Sequence, residues 1–202
     1  IQTDKDGFGP DYGPLMGGLD NLARALQKKP PGNIPLVIFE STLAPSSMAT
    51  VIKDHFEQYG LIEGRDILLG NSPNRVMPGR LVERVTESDK LAAGLHPESP
   101  RMIKEIYKHI VTRGSIHLTN SLTAEVTKTL ENAYRDVRIA FSAEMVRYCD
   151  QNNIDFYQVR DQVNKKLAQE DAANDDPNAV PSGGILIPTI GVGGHCLPKD
   201  GI

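Results

Sequence analysis

Apolar positions recur at helical spacing from Leu15 to Leu26 and then, after the break Lys28-Lys-Pro-Pro-Gly32, run together as Ile34-Pro-Leu-Val-Ile-Phe39. That order reads as helix, turn and buried strand. An amphipathic stretch from Met48 to Tyr59 follows, with Ser46 and Ser47 placed to cap it and Gly60 to stop it, and then the short strand candidate Asp66 to Leu69. A further helix is predicted over Pro100 to His109, with proline in its first turn, ahead of the strand candidate Ser115 to Leu118. Strands alternating with helices of this length predict βαβ units and a parallel sheet covered on both faces.

The pattern changes after Asn120. From Ser121 to about Asp150 no Gly or Pro interrupts a helix-prone run, which at 1.5 Å per residue makes a helix of about 45 Å. A helix more than twice the usual globular length is expected to bridge domains or to pack on a second subunit. A shorter helix is predicted from Asp155 to Leu167, and the acidic, turn-rich segment Gln169 to Gly184 reads as a mobile surface loop. The expected organisation is therefore residues 1–120 as one α/β part and residues 121–202 as a helical one.

Composition narrows the function classes. No apolar run approaches the roughly 20 residues of a membrane span, and a net charge of −4 without a Lys/Arg cluster leaves no electrostatic footprint for nucleic acid. Two cysteines, Cys149 and Cys196, are too few for a disulfide framework, which favours a reducing, cytoplasmic setting. The first residue is Ile1, and the chain stops two residues after Asp200. A piece of something larger is expected.

The candidate chemistry gathers in four places. Gly191-Val-Gly-Gly-His-Cys196-Leu-Pro-Lys-Asp200 puts a thiol behind three glycines and ahead of a Lys-Asp pair, so backbone can approach a ligand closely and nearby charge can set the thiol's reactivity. A free cysteine is also commonly an inert buried hydrophobe, and both readings stand on local sequence. On the long helix Glu125, Lys128, Asn132 and Arg135 follow at steps of three, four and three and share a face. By itself that is a solvated, ion-paired stripe, although an ammonium and an amide one turn apart also suit a developing alkoxide. Ser41 and Thr42 stand at the carboxyl end of a predicted parallel strand, where open α/β sheets bind ligands, and both are also ordinary turn residues. The loop Asn71 to Gly79 follows a strand and is stiffened by Pro73 and Pro78. Gly191-Val-Gly-Gly is not a dinucleotide fingerprint, because Pro198 and Asp200 stand where a helix would open. His55, His96, His109, His117 and His195 show no ligand pair at metal spacing, so no metal site is expected.

Four blocks in one order carry a family resemblance: Glu40-Ser-Thr-Leu-Ala-Pro45; Ser72-Pro-Asn-Arg-Val-Met-Pro-Gly79; Ala124-Glu-Val-Thr-Lys128 with Glu131-Asn-Ala-Tyr-Arg-Asp136; and Gly191 to Asp200. Over essentially its whole length the chain resembles the nucleotide-sugar 6-dehydrogenases, the UDP-glucose, GDP-mannose and UDP-N-acetylmannosamine dehydrogenase family. Gly-His-Cys-Leu-Pro is closer to the N-acetylmannosamine and N-acetylgalactosamine branch. The resemblance implies the second part of a doubly wound, Rossmann-like parallel-sheet domain, then a helical central domain built on one long helix. It also implies a homodimer or higher homo-oligomer through that helix.

The implied activity is a two-step, four-electron oxidation of a sugar C6 alcohol to the uronic acid, using NAD twice, for polysaccharide precursors. Cys196 matches the family nucleophile that carries a thiohemiacetal and then a thioester. Lys128 and Asn132 match the oxyanion stabilisers, and Asp200 the residue that positions water or a base. Thr3, Ser41, Thr42 and Lys199 match positions near the cofactor. Asn74, Arg75, Val76, Gly191 and Gly193 match positions around the substrate, within a segment from Ile187 to Gly193 that wraps it. Position 74 departs from the family, which has glutamate there; an amide cannot take a proton at neutral pH. The family's glycine-rich first βαβ unit and nucleotide-gripping C-terminal domain have no counterpart in these residues, so this stretch alone is expected to be inactive. A truncated or impaired homologue that serves as a dimerising scaffold remains the alternative.

Overall fold

The computed structural model describes residues 2–3, 9–75, 79–174, 183–188, 191–193 and 197–200. The chain divides into two compact units, residues 1–131 and residues 132–201. In the first, β1 (Gln2–Thr3) and β2 (Pro10–Asp11) form an antiparallel ribbon. Then come α1 (Gly13–Leu26), β3 (Leu36–Phe39), a wide turn Met48–Ile52 leading into α2 (Lys53–Gln58), and β4 (Leu68–Asn71). These are followed by α3 (Leu81–Glu87), β5 (Lys90–Gly94), α4 (Glu98–Tyr107) and β6 (Ile116–Asn120).

The four longer strands make one sheet in the order β3-β4-β5-β6. Alternation along β3 assigns its faces: Val37 and Phe39 pack with the cluster of α1 and α2, Leu36 and Ile38 with that of α4. Packing on both faces explains why β3 reads as a continuous apolar run. The sheet is mixed, with β3/β4 and β5/β6 parallel and β4/β5 antiparallel. Consequently the amino ends of β5 and β6 share an edge with the carboxyl ends of β3 and β4. At the antiparallel step Gly70 opposes Gly94. A Cβ at Gly70 would stand 2.5 Å from Ile103 Cδ1, and one at Gly94 would stand 2.3 Å from Ser99 Cβ, so two absent side chains let α4 lie directly on the strands.

Strand β5 and helix α3 were not evident in the sequence. Lys-Leu-Ala-Ala-Gly has no β-branched or aromatic residue, and burial rather than propensity makes it a strand. The serines before Met48 do not act as side-chain caps. Ser47 is helical with no side-chain cap, its hydroxyl donating to the Ala44 carbonyl at 2.6 Å. Ser46 adopts a left-handed φ of 73°. Within the turn the Ile52 N–H reaches back five residues to Ser47 at 2.9 Å, a widened winding.

Helix α5 (Ser121–Gln151) is the predicted long helix, and the division between units falls inside it. Asn120 starts it by accepting the Thr123 N–H at 2.8 Å. In the second unit α6 (Phe156–Ala172) is capped by Asp155, which accepts from Tyr157 and Gln158. It runs five residues past Leu167, because Gln169, Glu170 and Ala172 are good helix formers and Lys166 reaches Glu170 at 3.7 Å. Half of the segment read as a loop, 175–182, lies outside the described residues. A short turn of helix, α7 (Leu197–Asp200), closes the unit.

Candidate active site

In the first unit the site is built on the edge that the antiparallel step creates. Beyond β3 stand exposed Ser41 and partly buried Thr42; beyond β4, buried Ser72 and exposed Asn74. Backbone bonds fasten these two loops together: Ser72 N–H donates to Phe39 O at 2.9 Å and Asn74 N–H to Glu40 O at 3.0 Å. The Ser72 hydroxyl donates to Leu91 O at 2.7 Å, which ties the same loop to β5.

Beneath this junction lies a polar cluster that sequence reading missed. Tyr107 of α4 donates its hydroxyl proton to Glu40, and Lys90 Nζ lies 3.5 Å from Glu40 Oε1 and 4.2 Å from the centre of the Tyr107 ring. The Lys90 side chain is 10% exposed. Burial pulls its pKa down, against the pull of Glu40, while burial and then Glu40 push that of the Tyr107 phenol up. Glu40 thus anchors the edge twice, through its carbonyl and its carboxylate.

Arg75 is held by Glu131 of α5 in a two-point ion pair, Nε to Oε2 being 2.9 Å, and this carboxylate raises the guanidinium's pKa. Nearby, Asp89 accepts the Ser115 N–H at 2.8 Å and lies 3.0 Å from His117 Nε2; the backbone donor first, then the histidine, hold its carboxyl below the usual range. Glu125, grouped in the sequence with a solvated stripe, is 2% exposed. Its carboxylate accepts Ser46 N–H at 2.7 Å and Met48 N–H at 2.9 Å. Burial raises its pKa, opposed by those two donors. Lys128 follows one turn along α5 and is partly buried.

The second unit brings two predicted residues together. Asn132 Nδ2 donates to the Asp200 carboxylate, so α5 is joined to the helical turn that begins directly after Cys196. The preceding segment is held at three points. Arg138 donates to Gly184 O at 2.6 Å, while the Asn164 amide gives to Ile185 O at 3.1 Å and receives from Ile185 N–H at 2.8 Å. Gly191 has a φ of 132°, a conformation that disfavours any side chain. Gly193 is exposed. Cys196, Val76 and the side chains of Thr3 and Lys199 lie outside the described residues. Among the described residues no cluster of three or more His, Cys, Asp or Glu could hold a metal, and no helix is long and apolar enough to cross a membrane.

Glu40 and Glu131 stand inside the sequence blocks that carried the resemblance, and their charge beside apolar neighbours was the available signal. Lys90 and Tyr107 had none, because only pairing across the sheet brings them to Glu40.

Comparison with known proteins agrees with this architecture. Residues 122–202 match the UDP-glucose/GDP-mannose dehydrogenase family, central domain. The UDP-N-acetyl-D-mannosamine dehydrogenase of Pyrococcus horikoshii is 32% identical over 200 residues, covering 99% of this chain and 43% of the relative. A solved structure of that organism's UDP-D-ManNAc dehydrogenase superposes with a TM-score of 0.79 at 32% identity, over 99% of this chain and 43% of the other. The UDP-N-acetyl-mannosamine dehydrogenase Cap5O of Staphylococcus aureus gives 0.77 at 32% identity, over 98% and 43%. The chain spans about two fifths of the length of these relatives.

Proposed function

We propose, for a chain that belongs to the UDP-glucose/GDP-mannose dehydrogenase family, that its residues serve the NAD-dependent oxidation of a nucleotide-sugar C6 alcohol to the uronic acid. The observation that carries this reading is the hydrogen bond from the Asn132 amide to the carboxylate of Asp200, which ends the helical turn that begins directly after Cys196. The relatives named for N-acetylhexosamine sugars favour a UDP-N-acetylhexosamine as substrate.

The sheet edge suits the cofactor in part. Exposed Ser41 and partly buried Thr42 offer hydroxyls at the carboxyl end of β3, where open α/β sheets bind ligands. Bound there, NAD would supply the acceptor for one hydride from C6 in each half-reaction. Between the two, the Cys196 thiolate adds to the C6 aldehyde, the carbonyl oxygen takes up the electron pair, and Lys128 and Asn132 stabilise that oxyanion. After the second hydride leaves, a water adds to the thioester carbonyl; C–S cleavage releases the carboxylate and returns the thiolate. Asp200 orients that water, a role that its bond to Asn132 supports. Asn74, whose amide neither gains nor loses a proton at neutral pH, serves as a hydrogen-bonding contact to substrate.

A second role has its own support. Tyr134, Val137, Phe141 and Tyr148 are exposed on α5 at steps of three, four and seven, the spacing of a helix–helix seam. This stripe favours a homodimer through the long helix, whether or not the chemistry proceeds.

The test uses the full-length gene product with NAD and a panel of nucleotide sugars. Two NADH per sugar and a covalent sugar mass on the Cys196 peptide are expected, with Cys196→Ala lowering uronic acid formation by about 10³-fold or more. A dimeric protein that reduces no NAD and never carries the adduct would leave only the scaffold role.

A further inference from the structure

Between β3 and the turn that leads into α2 the backbone from Ser41 to Ser47 belongs to no strand or helix, and a carboxylate holds each of its ends. At its start Glu40 is fixed by Tyr107 and Lys90. At its end Ser46 and Met48 give their N–H groups to the two oxygens of Glu125, at 2.7 and 2.9 Å. Ser46 has φ of 73°, a backbone conformation that is strained for serine and persists only where the surroundings over-determine it. Glu125 is 2% exposed, and burial of its charge is offset by two charge-assisted bonds. A fully enclosed carboxylate reaching across 79 positions to a strained backbone N–H is an expensive way to stabilise a turn. Ser47 serves the same turn with a local, neutral bond to Ala44 O.

We propose that Glu125 is a positioning residue: its clamp on Ser46 and Met48 fixes the loop bearing Ser41 and Thr42 against the turn of α5 that bears Lys128. Lys128 is three residues beyond Glu125, on the same face of the helix. The clamp therefore couples the cofactor-side hydroxyls to the ammonium that meets the developing oxyanion, both within the first unit. Reaction rate depends steeply on such registration, a misplacement of about 1 Å costing on the order of 10²-fold. The inference rests on the reading of Thr42 and Lys128 given above.

Glu125→Gln tests it in the full-length gene product. The amide keeps the side chain's size but offers one acceptor where two donors converge. The expected result is a kcat lowered by about 10²-fold with KM for the nucleotide sugar little changed, and faster hydrogen exchange at the Ser46 and Met48 amides while those of β4 keep their protection. If circular dichroism shows that this variant does not fold, Glu125→Asp, which keeps the charge but withdraws it by one methylene, carries the same expectation. Two results overturn the proposal: an unchanged kcat once both amides exchange freely, or amides that stay protected in either variant. A wild-type protein that reduces no NAD with any nucleotide sugar removes the reaction and with it the positioning role, whereas amide protection reports the clamp independently.

Discussion

In the unit spanning residues 1–131, Met48, Ile52, Phe56, Ile67, Leu69 and Ile103 are wholly enclosed, whereas in the unit spanning 132–201 Tyr134, Val137, Phe141 and Tyr148 are each more than half exposed. The first unit pairs four strands and packs β3 between the cluster of α1 and α2 and that of α4, so it has a filled interior, although Val82, Leu118 and Leu130 stay exposed at its surface. The second consists mainly of the later part of α5 and of α6, and among its described residues only Ser142, Ala143, Cys149 and Phe156 are buried. Two helices bury one stripe each and leave the others in water. The contrast teaches that the sheet unit has an enclosed core of its own and holds the loops of Ser41 and Asn74 together by backbone bonds. The helical unit has apolar surface to bury against something else, each such side chain being worth about 1.5–3 kcal/mol when fully covered.

The sharpest way to break this comparison is to hollow each core in turn. Phe56→Ala and Phe156→Ala each remove a ring that is 4% exposed or less, and each is expected to cost about 3–5 kcal/mol. If the units are separately stabilised, hydrogen exchange will loosen α1 and α2 in the first variant and α6 in the second. Loosening of both units in both variants would mean one cooperative core.

Phe141→Asp addresses the exposed stripe. Phe141 is 51% exposed, so thermal stability at low concentration is expected to shift within about 0.5 kcal/mol, while analytical ultracentrifugation shows the dimer lost. A variant that stays dimeric removes this face of α5 from the interface.

The smallest expected effect is in the pH dependence of the sheet unit. Ser115 N–H and His117 hold the Asp89 carboxyl below its ordinary range. Its folded pKa lies below the unfolded one, so its contribution is present above the unfolded value and is lost as pH falls through the folded value. Burial displaces Glu63 and Glu125 the other way, and their contribution is lost as pH rises from the unfolded to the folded value. Asp89→Asn is expected to flatten the acid limb of the stability profile without moving that of the helical unit. An unchanged acid limb in chemical denaturation would remove Asp89 from the account.

Much of the architecture was legible because it is written in local periodicity. The strand Leu36–Phe39, the helix Gly13–Leu26 and the uninterrupted Ser121–Gln151 each announce themselves through apolar spacing, breakers or their absence. Strand β5 was not legible, since Ala92, Ala93 and Gly94 become a strand only because β4 and β6 flank them and α4 lies on their small side chains. The blocks around Ser41, Asn74, Lys128 and Cys196 were legible as unusual combinations of reactive and turn-forming residues. The ion pair of Arg75 with Glu131 was not, because 56 positions separate them.

Sequence by itself determined most of the helices and strands, β5 and α3 excepted, and which side chains are capable of nucleophilic and oxyanion chemistry, since these depend on residue type and on neighbours within a few positions. Tertiary structure alone decided that β5 runs antiparallel to β4 and so adds its amino end to the edge beyond β3, and that Lys90 and Tyr107 converge on Glu40. It also turned Glu125 from one member of a polar helical face into the buried acceptor of two distant N–H groups. Those outcomes depend on which surfaces meet, and a charge's environment is set by what encloses it rather than by where it stands along the chain.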